Sequence, residues 1–211
     1  MRAAAITTEK GPAMRRSVLL KAAPIAALAL ALGGCLSLGD KVPDTLFSLT
    51  PARIAPAGTA ASGNFGDAII VVEPETDRRL SVQRVPVQID DASVAYLQKA
   101  MWVERPSRLF RALLAETIRA KGNRLVFEDS EAASSGGTRL SGRLLDMGYD
   151  ARTLSVVVRY DAIRSGGKGA AMATKRFESS VPGIAAKPEA VGPALNKAAN
   201  DVAAQVAEWV G

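Results

Sequence analysis

Residues 153–163 read Thr-Leu-Ser-Val-Val-Val-Arg-Tyr-Asp-Ala-Ile. Leu154, Val156, Val158, Tyr160 and Ala162 recur at every second position, with Ser155, Arg159 and Asp161 between them. A repeat of two is that of a β-strand with one apolar face and one wet face. Such a face needs a cover, and one is written upstream. Pro106 to Lys121 carries Leu109, Phe110, Leu113, Leu114, Thr117 and Ile118 at three- and four-residue spacing, the stripe of an amphipathic helix. Pro106 suits a first helical turn, Gly122-Asn123 suits its end, and Arg108, Arg111, Glu116 and Arg119 fall largely outside the stripe.

Around these two segments the same reading gives further strands. Thr45–Leu49 reads as a first strand, and residues 51–66, rich in Ala, Gly, Pro and Ser, as a surface loop. Ala68–Val72 reads as a buried strand closed by Pro74. Leu80–Ile89 holds Pro86, which cannot donate to a ladder, so an edge strand or an extended loop is expected there. Asp90-Asp91 marks a turn before a short extended piece at Val94–Leu97. Arg124–Glu128 is short and apolar, and Thr138–Tyr149 alternates with a break that predicts a bulge near Leu144-Leu145. Ser165-Gly166-Gly167-Lys168 predicts a hairpin loop into a strand near 171–179. Pro193–Val210 reads as a second helix with Leu195, Ala199, Val202, Val206 and Trp209 on one side. Together these predict an α+β (mixed α/β) fold: one antiparallel or mixed sheet with two amphipathic helices packed on one face.

The composition narrows function. The 211 residues contain no histidine and one cysteine, Cys35. Histidine-based catalysis, a histidine-ligated metal, an internal disulfide and a thiolate metal cage are therefore out of reach. No cofactor is indicated. Formal net charge is +6, but residues 1–34 hold five bases and one acid; without them 22 bases face 20 acids, a net +2. The basicity belongs mostly to the N-terminal segment, and no nucleic-acid binding is expected of the domain.

That segment has three parts: a basic head from Met14-Arg15-Arg16 to Lys21, an apolar run from Ala22 to Leu32, and Gly33-Gly34-Cys35. The order is that of an export signal, and the run is well short of the ~20 residues a spanning helix needs. Leu32-Gly33-Gly34-Cys35 resembles the bacterial lipobox. By that resemblance cleavage falls between Gly34 and Cys35, and Cys35 becomes the lipidated first residue, its acyl chains forming a stable anchor. Residues 1–34 are thus read as a signal peptide, 35–44 as a lipidated tether and 45–211 as one periplasmic domain, with Met14 an alternative start to Met1. Leu36, following the cysteine, is compatible with sorting to the outer membrane.

Several further pieces, in order, resemble the ABC-type transport auxiliary lipoproteins, the PqiC-like family. Leu46-Phe47-Ser48-Leu49-Thr50-Pro51 is similar to the family's opening strand, and Ile69 to Glu75 to its valine-rich strand followed by proline. Asp77-Arg78-Arg79 and Val82-Gln83-Arg84 approximate its next motif. Tyr96, then Met101-Trp102-Val103-Glu104-Arg105-Pro106-Ser107-Arg108-Leu109, resembles the segment leading into its first helix. Phe47 stands where tyrosine is common, and one extra residue separates Glu104 from Pro106. The resemblance implies a non-catalytic outer-membrane lipoprotein on the periplasmic face. Its partner would be an MCE-domain protein served by an inner-membrane ABC permease and ATPase, with phospholipid or another hydrophobic molecule as cargo. It also implies homo-oligomerisation.

Tyr96, Trp102 and Glu104 are the candidate partner-interface residues, since aromatics serve as interface anchors. The competing reading puts Trp102 over the core beside the Pro106 helix and Glu104 in a solvated turn. Asp90-Asp91 and Glu128-Asp129 are paired carboxylates, but neighbours in a strand point to opposite faces, so turn or rim roles are expected. An envelope-assembly lipoprotein with a TolB-N-like module, and a hydrolase using carboxylates alone, are the alternative functions.

Overall fold

The longest strand, Thr138–Asp150 (β6), organises the sheet. The computed structural model describes residues 43–122, 124–128, 136–166 and 171–211. On one side β6 pairs antiparallel with Ser155–Gly166 (β7), and β7 pairs antiparallel with Ala173–Pro182 (β8). On its other side lie three short parallel strands end to end: Ile69–Val71 (β1), Glu75–Thr76 (β2) and Arg84–Gln88 (β3). Val94–Met101 (β4) adds antiparallel to β3, and Val126–Phe127 (β5) adds parallel to β1. Two helices, Pro106–Arg119 (α1) and Pro188–Val210 (α2), complete an α+β fold with an eight-stranded mixed sheet.

The period-two reading of β7 holds from Val156 onward. Val156, Val158, Tyr160 and Ala162 are fully buried against residues of both helices. Phe110 of α1 meets Tyr160 edge-on at 5.3 Å, and the Tyr160 hydroxyl donates to the Ser141 carbonyl at 2.8 Å. That bond satisfies the one polar atom of a buried ring, and burial raises the phenol's pKa well above its ordinary range. Leu154 departs from the pattern. It sits in the β6–β7 turn at φ 50°, 57% exposed, because the strand begins one residue later.

The break expected in β6 is present. Leu144 faces Tyr160 and Asp146 faces Arg159, so Leu145 is the extra residue of a bulge. β6 thereby keeps Leu140, Leu144, Met147 and Tyr149 on the covered face.

Several elements differ from expectation. Thr45–Leu49 forms a single parallel bridge, Phe47 to Trp102, rather than a strand. β3 is not at an edge: it lies between β4 and β6. Pro86 is tolerated there because the β3–β6 ladder begins only at Val87 and because β4 bulges opposite it. The extended piece at Val94 continues to Met101, and α2 begins at Pro188, five residues ahead of Pro193. Asn123, Asp129, Gly167 and Lys168, and the signal and tether up to 42, lie outside the described residues.

Gly148 permits the close approach of β3 to β6. A Cβ there would stand 2.5 Å from the Pro86 carbonyl oxygen. Gly148→Ala is expected to push the β3–β4 hairpin away from β6 and to destabilise the domain by about 2 kcal/mol or more. Urea unfolding followed by circular dichroism measures this, and an unchanged midpoint would mean that the hairpin does not depend on this contact.

Candidate functional site

Cys35 and Gly34 lie outside the described residues, so the site is built from where the chain enters the domain. Phe47 donates its amide to Met101 O at 2.7 Å, and Val103 donates to Phe47 O at 2.8 Å. The Phe47 ring packs edge-on to Trp102 at 5.6 Å, and a Cβ on Gly192 of α2 would stand only 2.9 Å from that ring. Thr45, Phe47 and Ser48 with Pro188, Gly192 and Pro193 border a shallow, largely apolar groove of about 300 Å³.

Beyond the groove the chain is tied to α2 by two asparagines one helical turn apart. Asn196 Oδ1 accepts from the Thr50 amide at 2.8 Å and Asn200 Oδ1 from the Ala52 amide at 2.6 Å, while Asn200 Nδ2 donates to the Thr50 carbonyl at 2.9 Å. Glu116 of α1 accepts from the Ala55 amide at 2.7 Å. The N-terminal segment is thus hydrogen-bonded to both helices. Sequence reading missed this strap. Its only trace is a pair of asparagines four apart in an alanine-rich helix, and their partners are backbone amides about 146 residues distant.

Trp102 is 1% exposed and belongs to the core, beside Phe47 and the start of α1. A partner touching this strand therefore meets Tyr96 and Glu104 rather than the indole. Tyr96 is half-buried on the β4 edge with the Arg84 guanidinium 4.6 Å from its ring centre. Glu104 is also half-buried; its carboxylate accepts from the Arg105 amide at 2.9 Å and from Arg108 at 3.1 Å, which holds its pKa below the usual range. Tyr96 lies near the start of β4, and Glu104 lies beyond its end, in the segment joining β4 to α1.

The sheet face away from the helices carries a lattice of paired charges. Arg159 binds Asp146 and Glu178, and Arg79 binds Asp146 at 2.7 Å and Asp77 at 2.9 Å. Arg176 grips Asp161 with two nitrogens at 2.6 and 2.7 Å. A cleft of about 300 Å³ lies among Arg79, Gln88, Asp146, Asp150, Arg152 and Arg159. Hydrogen bonds from Arg152 to Asp150 and from Arg176 to Asp161 hold both carboxyls below their ordinary pKa. Each is a fixed anion, poorly suited to deliver a proton near neutral pH. The adjacent acids are likewise occupied: Asp90 accepts from the Ala92 amide in the turn, Asp91 pairs with Arg152, and Glu128 pairs with Arg119. No cluster of metal-binding side chains occurs among the described residues.

The sequence model of the ABC-type transport auxiliary lipoprotein component family matches residues 47–207, from the Phe47 bridge to the last turns of α2. The chain belongs to this family. It is therefore an auxiliary lipoprotein component of an ABC-type transport system, a class implying a lipid anchor in a membrane and no catalytic role of its own. A Xanthomonas campestris protein of the DUF330 family has a similar fold, with TM-score 0.61 at 14% identity, covering 79% of this chain and 94% of that one. A second solved structure, of an uncharacterized protein, matches with TM-score 0.60 at 12% identity, over 79% of this chain and all of that one. At such identities the likeness concerns the fold alone. Comparison with curated protein sequences finds no match.

Two outcomes follow from this geometry. Replacing Asn196 and Asn200 together by alanine is expected to speed hydrogen exchange at the Thr50 and Ala52 amides while costing only about 1–2 kcal/mol of global stability; unchanged exchange would show that the strap is held otherwise. Because the Asp150 and Asp161 pKa values are depressed, their pairs stabilise at neutral pH and that contribution disappears as pH falls through the folded-state values, below the ordinary ~3.9 of aspartate. Asp161→Asn should therefore lower the urea midpoint slightly at pH 7 and by less at pH 2. An equal deficit at both pH values would assign the loss to packing.

Proposed function

We propose that this protein is the outer-membrane accessory of an ABC/MCE-type intermembrane lipid transport system. In this reading Cys35 carries the acyl anchor, and the domain docks the periplasmic MCE-domain protein fed by an inner-membrane permease and ATPase. The observation that carries it is the family match beginning at residue 47, twelve residues after a cysteine set in a lipobox. Leu36 beside the anchor is compatible with the outer membrane, and the strap to α1 and α2 suits a domain held by its N-terminus. Cargo is phospholipid or another hydrophobic molecule that the MCE channel conducts, and the domain works as a homo-oligomer. The chain supplies position rather than chemistry: no histidine is available, and the carboxylates described above are held by arginines. In this reading Tyr96 on β4 and Glu104 just after it contact the partner, while Trp102 stays in the core.

Cys35→Ala should move the protein from the outer-membrane fraction to the soluble periplasm, and continued sedimentation with membranes would overturn the anchor. A photo-crosslinking residue at position 96 or 104 should capture an MCE-domain protein from whole envelopes. Tyr96→Ala should lower capture about tenfold in a purified pair, the scale of one lost anchor of roughly 1.4 kcal/mol. Capture of β-barrel assembly factors without any MCE protein would instead favour an envelope-assembly role.

A further inference from the structure

The end of the sheet where β3 turns into β4 and β6 into β7 exposes three large apolar side chains. Ile89, Val94 and Leu154 are 46%, 43% and 57% exposed. Ile89 and Val94 flank one turn, where the Ile89 amide bonds Ser93 O, and Leu154 ends the neighbouring turn, joined to the first by the Ala151 amide on Gln88 O. Leu154 is held at φ 50°, a left-handed conformation that glycine or asparagine adopts at lower cost. Neither core packing nor turn chemistry calls for leucine at that position.

The chain that leads to Cys35 enters the domain at this same end. The Ile184 amide bonds Leu154 O at 2.8 Å, α2 starts four residues later at Pro188, and Thr45 borders a groove with Pro188 and Glu189. From there α2 runs to the opposite end, where the Val210 carbonyl accepts from Arg124, which also bonds Thr138 at the start of β6. Eight residue steps from Cys35 to Pro43 reach at most about 28 Å, whereas the twelve steps of β6 measure about 40 Å. A tether of that reach cannot let the Thr138 end face the bilayer while residue 43 stays at the other end.

We propose that this rim is a membrane-contact edge, resting through Leu154, Ile89 and Val94 on the surface of a bilayer of zwitterionic lipid. The proposal rests on the reading of Cys35 as the anchor, which brings the rim to the membrane so that a few apolar side chains suffice. Charge selects the lipid. Asp90, Asp91, Asp150 and Glu189 outnumber Arg152 and Lys187 here, and Arg152 is already paired with Asp91 at 2.5 Å and Asp150 at 3.2 Å. Such a rim is repelled by anionic headgroups and accepted by neutral ones.

The test uses the full lipidated protein in phosphatidylcholine liposomes with no other protein present. With the Cys35 sulfur in its thioether, Leu154→Cys supplies a single thiol for a nitroxide label; Asp67→Cys supplies the same label at the opposite end. Leu154 and Asp67 are both exposed, so neither change threatens folding, which circular dichroism checks. On reconstitution the label at 154 should become severalfold more accessible to oxygen and less accessible to a water-soluble nickel chelate, with the label at 67 unchanged. Adding phosphatidylglycerol should reduce the shift. A label at 154 as water-accessible as that at 67, in protein that floats with the liposomes, overturns the membrane edge and returns the rim to a protein partner. Protein that fails to float overturns the anchor itself, and the edge with it.

Discussion

Twelve residue pairs join β6 to β7, and the rest of the domain is arranged around that ladder. It is long enough to carry three short parallel strands in a row along its free side, none of which pairs with β6 over more than three residues. Those strands could not persist alone, because a two- or three-residue pairing does not offset the ordering of its own backbone. They are held by β6 and by the helices that cover the same face. The buried Tyr160 marks the centre of the arrangement. Its ring packs under Phe110, and its hydroxyl reaches the backbone of β6, so strand pairing and helix packing depend on one residue.

The bulge at Leu145 has a second consequence. By shifting the alternation it keeps Leu144 and Met147 both on the core face, and it places Asp146 on the open face between Arg79 and Arg159. The charged lattice on that face is thus a product of the same irregularity that preserves the core. Exposed pairs of this kind contribute little individually, and a network fixes geometry more than it adds stability. The lattice makes the open face polar and rigid, in contrast to the apolar rim at the end of the same strands.

The two ends of the molecule are unequal. At one, α2 finishes beside Arg124 and the start of β6. At the other the N-terminal segment enters, crosses Trp102 through the Phe47 bridge and is bound by Asn196 and Asn200. A lipoprotein has to pass mechanical load from a small anchor to a folded domain. Hydrogen bonds from the backbone of residues 50 and 52 to side chains of α2 provide such an attachment without a continuous strand.

Much of this architecture is legible in the chain itself, where local periodicity decided the outcome. The alternation of Val156, Val158, Tyr160 and Ala162, the stripe from Phe110 to Ile118 and the interruption at Leu144-Leu145 each report which face of one element is buried, and that is a property of neighbours in sequence. The absence of histidine and the lipobox-like run Leu32-Gly33-Gly34-Cys35 are equally local, the first restricting chemistry and the second suggesting an anchor without reference to the fold. Strand neighbours, by contrast, are set between segments far apart. Placing Pro86 in an interior strand requires Gly148 to admit it and β6 to start pairing one residue later, neither of which shows in residues 80–89. Trp102 reads as an anchor or a core residue until the Phe47 ring packs edge-on against it. The strap through Asn196 and Asn200, and the gathering of Ile89, Val94 and Leu154 at one rim, exist only once the sheet order is established, because each joins residues that no short stretch of sequence contains together.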